Sequence, residues 1–458
     1  MKIIIFVKLL TLTTFILASA ASIAEDNAGV ISQTDVTEIN NMADTNVVSN
    51  ASDNMDDWFD SVLANYGVDS FGENNGKIFL AQSQSVSLKQ IDPQYGDAVV
   101  NAFDKAMLGL QEQYVMFLFG RITTDKVRSK NSDGSTRAKE IDLPEVTHKT
   151  YLSKVLLLLE KNLDLTALEL DKQLLELGVN PNELTSLTTV QKKDVFRDKF
   201  IKNTMRQASG SIAGLFPIQT SVITDSKGRT VVGVVAVSTD KTQQIAKDIS
   251  LQRQSLVTGK GRDIKSLLPT SKKEFLGTLG VRLAYDLDGT PAIISYGIAS
   301  YMPNTGDDYI NDELKADAKN IAIANADAQM AEIINGRMNV KNETQTGEEI
   351  RKYVEREMKF DSDTIEKELK NIIKITNSNA KSSASARLQG ISTVKSWRYT
   401  TEQGQKFVGA VRVWRYSTLA AVKSFNNPKT HTGQEKENKG LFEESQTTSK
   451  PVNTLDDF

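Results

Sequence analysis

The sequence predicts an α+β protein made of two tandem copies of one unit, a small antiparallel sheet covered by a long helix. The main observation is a set of three glycines that recurs with identical internal spacing: Gly214, Gly228 and Gly233, then Gly390, Gly404 and Gly409. An Ala-rich helical pattern precedes each set, and an apolar strand pattern precedes each helix. Self-similarity at a fixed spacing indicates an internal duplication. The order of a strand pattern followed by a helical pattern favours a unit in which a helix packs on a sheet.

Each copy opens with a turn that leads into an apolar strand. The turn is Asn74-Asn75-Gly76 in the first copy and Leu287-Asp288-Gly289 in the second. A Gly-Val pair precedes each turn, at 67–68 and 280–281, and lies at the same distance in sequence from the glycine of its turn. Glycine at such turns supplies the positive φ that hairpins need.

A strand and then a long helix follow each turn. The strands are predicted at 78–86 and 292–301, and the helices at 97–119 and 312–335. Alanine or a larger apolar residue recurs at three- and four-residue spacing in both helices, which is the period of one buried helical face. Each helix ends at a Gly-Arg pair, Gly120-Arg121 in the first copy and Gly336-Arg337 in the second.

A two-stranded hairpin closes each copy, at 218–224 with 231–237 and at 394–400 with 407–414. The first copy has a longer segment than the second between its Gly-Arg pair and its hairpin, and the difference is about forty residues. Leucine-rich segments at helical spacing place this extra helical insertion at about 148–207.

The start of the chain has the pattern of a secretory signal peptide. Residues 1–24 combine Lys2 and Lys8 with an apolar run and a small-x-small site that ends at Ala24. We expect cleavage after Ala24, with Ala20 as the alternative. An uncleaved anchor is disfavoured because the apolar run is shorter than the ~20 residues that span a bilayer.

Composition sets the remaining boundaries. Segments 25–55 and 426–458 are polar and poor in large apolar residues, which predicts a disordered leader and a disordered tail. Between them, the first repeat is expected at 56–250, a linker at 251–270 and the second repeat at 271–425.

The composition also narrows the class of partner. Cysteine is absent, which excludes disulfides, a thiolate metal site and the acylated cysteine of a bacterial lipid anchor. The 55 Lys and Arg residues nearly balance the 58 Asp and Glu residues, so a nucleic-acid partner is disfavoured. No later segment is apolar enough to span a bilayer. We therefore expect a periplasmic or secreted protein with no transmembrane segment after cleavage.

The motifs give no catalytic, cofactor or metal site. The two histidines, His148 and His431, lie far apart and outside any hydrolase or zinc pattern. Ser-x-x-Lys occurs at Ser238 and Ser392, but the companion motifs of penicillin-binding enzymes are missing or misplaced. The turn at 286–289 lacks the final acidic ligand of a calcium loop. We predict that the protein is not an enzyme and needs no cofactor.

The final hairpin carries the candidate partner-binding residues. Strand alternation puts Arg412, Trp414 and Tyr416 on one face, and a face of Arg and aromatic side chains suits a protein partner. The matching positions of the first copy hold smaller residues. The pattern favours the alternative, in which this face packs beneath the covering helix.

The helix segment Ala318-Lys-Asn-Ile-Ala322-Ile-Ala-Asn-Ala326 and the strand Phe407-Val-Gly-Ala-Val-Arg-Val413 resemble a family of envelope proteins. This family comprises small outer-membrane lipoproteins first described as Helicobacter antigens and the N-terminal domain of the flagellar H- and T-ring assembly protein. The resemblance covers most of the second copy and, in a weaker version, the first. It implies a noncatalytic part in envelope structure or assembly, but it does not extend to a lipid anchor because the lipid-bearing cysteine is absent.

These observations predict a noncatalytic exported bacterial envelope protein that acts as a structural, assembly or partner-binding module. Its expected partner is a cell-envelope protein or a further copy of itself. Two alternatives stay open. One is a secreted hydrolase that uses two carboxylates, and the other is a small-ligand carrier with a pocket between the repeats.

Overall fold

The computed structural model describes residues 50–92, 94–130, 153–157, 159, 166–303, 306–335, 364–375, 389–401 and 404–426. The predicted signal peptide, residues 25–49 of the predicted leader and residues 427–458 of the predicted tail lie outside these ranges, as do His148 and His431. Among the residues that are described, no helix combines the length and the apolar character needed to cross a membrane.

The helices and strands alternate in two similar series along the chain. The helices are α1 Ala51–Tyr66, α2 Tyr95–Lys130, α3 Ala167–Glu176, α4 Pro181–Leu184, α5 Thr189–Ser209, α6 Asp240–Ser250, α7 Lys272–Gly277, α8 Asp308–Asn335 and α9 Tyr416–Asn426. The strands are β1 Gly72–Asn74, β2 Lys77–Ser85, β3 Phe216–Thr224, β4 Thr230–Ser238, β5 Gly280–Tyr285, β6 Pro291–Tyr301, β7 Ile391–Thr400 and β8 Lys406–Arg415. Short 3-10 turns lie at Ile212–Gly214 and Ile264–Leu267, and residues 364–375 are also helical.

The strands form two four-stranded antiparallel sheets. Their orders are β1-β2-β4-β3 and β5-β6-β8-β7, so each sheet joins two hairpins through their inner strands. The long helix α2 or α8 follows the first hairpin of its sheet and packs on that sheet. The predicted α+β class, with two sheet-plus-helix units, is confirmed.

One pair of the duplicated glycines occupies equivalent turns in the two sheets, whereas Gly233 and Gly409 lie within β4 and β8. Gly228 and Gly404 have φ values of 74° and 85°, a conformation that glycine adopts without strain. In each turn the glycine N–H donates to the carbonyl oxygen of the residue three positions earlier, Asp225 or Thr401, at 3.0 Å. The recurrence of Gly228 as Gly404 therefore reflects one turn geometry used twice.

A β-bulge recurs at the same interval. It lies between Pro217 and Gln219 in β3 and between Thr393 and Lys395 in β7, where the pairing with β4 or β8 slips by one residue. A bulge bends its strand and increases the local twist. The repeats thus share an irregularity of the backbone as well as their strand order.

The helices α3 and α4 lie within the range of the predicted insertion, and α5 begins within it and ends just beyond it, at Ser209. Capping boxes begin α3 and α5, because the hydroxyls of Thr166 and Thr188 each accept the N–H of the third helical residue. The apolar faces of these helices pack with the C-terminal half of α2 and with the helical residues 364–375 in a second apolar cluster, which includes Phe119, Leu170 and Leu369.

The helix α2 contacts both sheets. Its side chains pack on β2 and β4 of the first sheet, and it also contacts β6 of the second. The ring of Tyr95 meets that of Phe407 edge to face at 6.4 Å, and the N–H of Gly96 donates to Ser300 Oγ at 3.1 Å. A single apolar cluster therefore contains residues of both repeats.

The helix α8 lies very close to β6. Gly297 and Ala322 allow this approach, since a Cβ atom on Gly297 would lie 1.8 Å from the carbonyl oxygen of Ala322. Ser295 Oγ donates to the Ala326 carbonyl at 2.7 Å, deep in the interface. The Ala-rich spacing of α8 is thus explained by backbone-to-sheet contact.

One predicted boundary and one predicted correspondence were wrong. The helix α1 begins at Ala51, inside the predicted leader, because Ala51 and Met55 bury their side chains against Val231 of β4. Gly67 and Gly280 are not equivalent, since Gly67 is the left-handed cap that ends α1 and Gly280 is the first residue of β5.

Candidate functional site

The predicted binding face of the last hairpin is largely enclosed. Trp414 is 3% exposed and lies in an apolar cluster with Met330 of α8. Arg412 makes a bidentate ion pair with Asp327 of α8, with N–O distances of 2.8 and 3.1 Å. Tyr416 is partly buried and starts α9 rather than extending β8. The face therefore packs beneath α8, and a partner could reach Trp414 only if α8 moved.

An open groove lies beside β7, the edge strand of the second sheet. Two adjoining hollows of about 810 and 850 Å³ form it, and both are lined by Lys272 of α7, Lys315 of α8 and Arg398 of β7. We call it the basic groove and define it by its cationic residues Lys272, Lys315, Lys319, Lys395, Arg398 and Lys406.

Among the residues that the structure describes, the basic groove has few compensating charges. Asp308 and Asp312 are its carboxylates. Lys315 pairs with Asp312 at 3.3 Å, whereas the other five cations form no ion pair with any described residue. The chain as a whole carries a net charge of −3, so this concentration of cations is local. Clustered cations create a positive potential that attracts an anionic partner.

Rigid aromatic packing supports the groove. The indole of Trp397 stacks on the ring of Phe275 at 5.2 Å and 24°, and both side chains are buried. Lys395 Nζ lies 5.0 Å from the centre of the Phe275 ring, within the range of a cation–π contact. Strand alternation directs Lys395 and Trp397 to the α7 side of β7 and Arg398 to the opposite side. The cations thus straddle the strand edge.

Tyr301 adds a neutral donor to the groove. Burial raises the pKa of its hydroxyl, and the positive charge of Arg398 opposes that shift. The phenol is therefore protonated at neutral pH and can donate a hydrogen bond to a bound acceptor.

Buried carboxylates outside the groove have structural partners. Asp248 accepts hydrogen bonds from Ser255 Oγ at 2.7 Å, Gln244 Nε2 at 2.8 Å and Arg253 Nε at 2.7 Å. Burial acts to raise the pKa of Asp248, but these bonds and the Arg253 charge outweigh it and hold the pKa below its usual range. In the described part of the chain, no group of three His, Asp or Glu side chains could hold a metal ion.

Sequence reasoning missed the basic groove. Lys315 and Lys319 are interspersed with acidic residues along α8, and the pattern of that helix indicates a solvated face. Their spacing of four residues does place them on one side of the helix. Their convergence with Arg398 depends on how α8 packs against β7, which no local pattern reports.

Comparisons with known proteins support the fold but do not indicate a function. A protein-family model described as a domain of unknown function (DUF6844) matches residues 155–251. The crystal structure of a hypothetical protein from Francisella tularensis is similar over 81% of this chain and 92% of that chain, with 21% sequence identity and a TM-score of 0.50. No curated protein matches the chain. At this level of identity the solved structure supports the fold alone.

Proposed function

We propose that this protein is an exported, noncatalytic component of the bacterial envelope that binds an acidic segment of a partner protein in the basic groove. The observation that carries the proposal is the group of five cations that lack an ion pair within the described residues. An acidic partner supplies the missing counter-charge. The opposite charges raise the association rate, and the positive groove repels cationic competitors.

The position of the groove favours an extended segment. Among the described strands, β7 pairs with β8 on one side only, and the groove follows the unpaired side. Proteins often bind extended peptides by adding a strand to such an edge. Lys395 and Arg398 lie on β7 itself, where charged residues also protect an edge from unspecific pairing. An acidic strand could pair with the free edge of β7 and also neutralise Lys395 and Arg398.

The expected location supports a partner in the envelope. Residues 1–24 have the pattern of a signal peptide, and the resemblance of the second repeat to envelope lipoproteins and to the flagellar ring-assembly domain points to assembly rather than catalysis. Both features support the proposal without identifying the partner.

The test is binding of a fluorescent poly-glutamate peptide, followed by anisotropy, with a poly-glutamine peptide of equal length as the neutral comparison. The groove variant is Lys315→Glu with Arg398→Glu. Contact between unit charges in water is worth about 1 kcal/mol, so two reversals should weaken binding at least about tenfold. The affinity of the wild type should also fall as salt rises.

A matched control keeps the change in net charge constant. Lys260→Glu with Arg262→Glu alters two exposed cations that do not line the groove. This control should bind poly-glutamate as the wild type does. Equal binding by the groove variant and the control would contradict the proposal, as would equal affinity of the wild type for the two peptides.

A further inference from the structure

A separate cavity lies between the two repeats. It has a volume of about 680 Å³, within the range of small-molecule sites. The first repeat lines it with residues of α2 and β3, and the second repeat with residues of β5, β6 and β8. Its wall is polar at Gln219, Thr220 and Arg282, and apolar at Val99, Ile298 and Phe407.

Arg282 is the partly buried charged residue of the cavity. Lys273 and Glu274 also line it, but both are exposed, and the Glu274 carboxylate accepts hydrogen bonds from the Thr270 N–H and the Ser271 hydroxyl. Its Nη1 donates to the carbonyl oxygens of Leu279 and Val281, both at 2.9 Å, and its Nη2 donates to Thr220 Oγ1 at 2.8 Å. These acceptors are neutral, and no carboxylate among the described residues pairs with the guanidinium. A guanidinium has five N–H donors, so the Nε–H and one Nη2–H stay available.

The surroundings of Arg282 leave its charge uncompensated. Burial lowers the pKa of Arg282 to about 10, and the nearby hydroxyls of Tyr296 and Tyr66 oppose that shift. The group is nevertheless cationic at neutral pH. Arg282 is partly buried, so its charge is only partly solvated, and an anion at this point would compensate it.

A second polar group in the cavity wall also lacks a partner. Gln219 Oε1 is buried and has no hydrogen-bond partner among the described residues. Buried polar atoms are rarely left unpaired in folded proteins, so this acceptor in the wall of the cavity marks a place where a ligand or water can donate a hydrogen bond.

We propose that this cavity binds a small amphiphilic carboxylate. Its carboxylate accepts the two free donors of Arg282, and its apolar body packs against Val99, Ile298 and Phe407. A charge-assisted pair of this kind combines specificity for the anion with burial of the attached chain. The proposal does not depend on the basic groove, although Phe407 lines both sites.

The simpler role of Arg282 is structural, because its bond to Thr220 links β5 of the second repeat to β3 of the first. The experiment must therefore separate ligand binding from folding. Octanoate is the probe, and octanol is the neutral probe of equal chain length. Isothermal titration calorimetry measures both against the wild type, Arg282→Met and the control Arg262→Met, which removes an exposed arginine outside the cavity.

Octanoate should bind the wild type and the control equally, and Arg282→Met should weaken it at least about tenfold, the scale of one charge-assisted hydrogen bond. Octanol should bind Arg282→Met no more weakly than it binds the wild type. Absence of octanoate binding to the wild type, or unchanged binding to Arg282→Met, would overturn the proposal.

A second variant covers the case in which Arg282→Met does not fold. Leu276→Trp adds bulk to the cavity wall and leaves the hydrogen bonds of Arg282 in place. It should abolish binding of octanoate and octanol while poly-glutamate still binds in the basic groove. Wild-type affinity for octanoate in Leu276→Trp would refute the site and leave the groove proposal unaffected.

Discussion

Replacing Gly297 with alanine should force α8 away from the second sheet. The added Cβ atom would lie 1.8 Å from the carbonyl oxygen of Ala322 and 2.8 Å from the amide nitrogen of Ala326. Close carbon–oxygen contacts in proteins begin at about 3.3 Å, so the helix must move by roughly 1.5 Å. Both contacting atoms belong to the backbone, and no side-chain rotation can relieve the overlap.

The energetic cost follows from the contacts that this shift disturbs. Ser295 Oγ donates to the Ala326 carbonyl at 2.7 Å, and Asn325 Nδ2 donates to the Ile298 carbonyl at 3.0 Å. Each bond contributes about 1 kcal/mol, and overpacking a filled interface costs about 1–3 kcal/mol. Gly297→Ala should therefore lower the free energy of unfolding by about 3–5 kcal/mol, which corresponds to a fall in Tm of roughly 3–5 °C for a chain of 458 residues.

Urea unfolding followed by far-UV circular dichroism measures this loss. Gly277→Ala is the matched control, because the nearest atom to its added Cβ lies 4.0 Å away. That control should stay within about 0.5 kcal/mol of the wild type. If Gly297→Ala and Gly277→Ala unfold at the same urea concentration, the close packing of α8 on β6 is refuted.

Three other measurements test separate parts of the structure. Trp414→Ala should cost about 3–5 kcal/mol in urea unfolding, because Trp414 is buried beneath α8, and wild-type stability would contradict that burial. Asp248→Asn should cost about 2 kcal/mol at neutral pH. A carboxylate with a lowered pKa stabilises the fold above its unfolded pKa of about 3.9 and loses this contribution as pH falls through the folded pKa. The difference in unfolding free energy between Asp248→Asn and the wild type should therefore shrink below about pH 4. A difference that stays constant with pH would exclude this linkage. Sequencing the N-terminus of the protein isolated from its own cells should give Glu25, and an intact Met1 would exclude cleavage.

The duplication could be predicted because its signal is local. Gly228 and Gly404 occupy turns that need positive φ, and few other residues adopt that conformation at low cost. The presence of the long helices was also predictable, since Ala318, Ala322 and Ala326 recur at the spacing of one helical face. The predicted end of α2 at Gly120-Arg121 was wrong, because α2 continues to Lys130.

Other elements had no comparable signal. The strand β1 has three residues, Gly72–Asn74, which is too short to show an alternating pattern, and its pairing with β2 defines it. The helix α1 lies next to a polar leader, and its burial depends on contact with Val231, which is distant in sequence. Tertiary contact decides both cases.

For the candidate sites, too, local sequence patterns predicted the faces of single strands, but not the sites that form when distant elements pack together. Alternation placed Arg412 and Trp414 on one face of β8, but their availability to a partner depends on α8, which covers them. The basic groove and the Arg282 cavity assemble side chains from elements far apart in the chain. The excess of unpaired cations is visible only after those elements have packed.

The most direct test of the proposed function is photo-crosslinking in the native envelope. A photoreactive residue replaces the exposed Ser396, which lines the basic groove, and a second variant carries it at the exposed Lys260 outside the groove. We expect position 396 to crosslink to an acidic segment of one envelope protein, and Lys315→Glu with Arg398→Glu to abolish that product. Identical products from positions 396 and 260, or no product from position 396, would contradict the account.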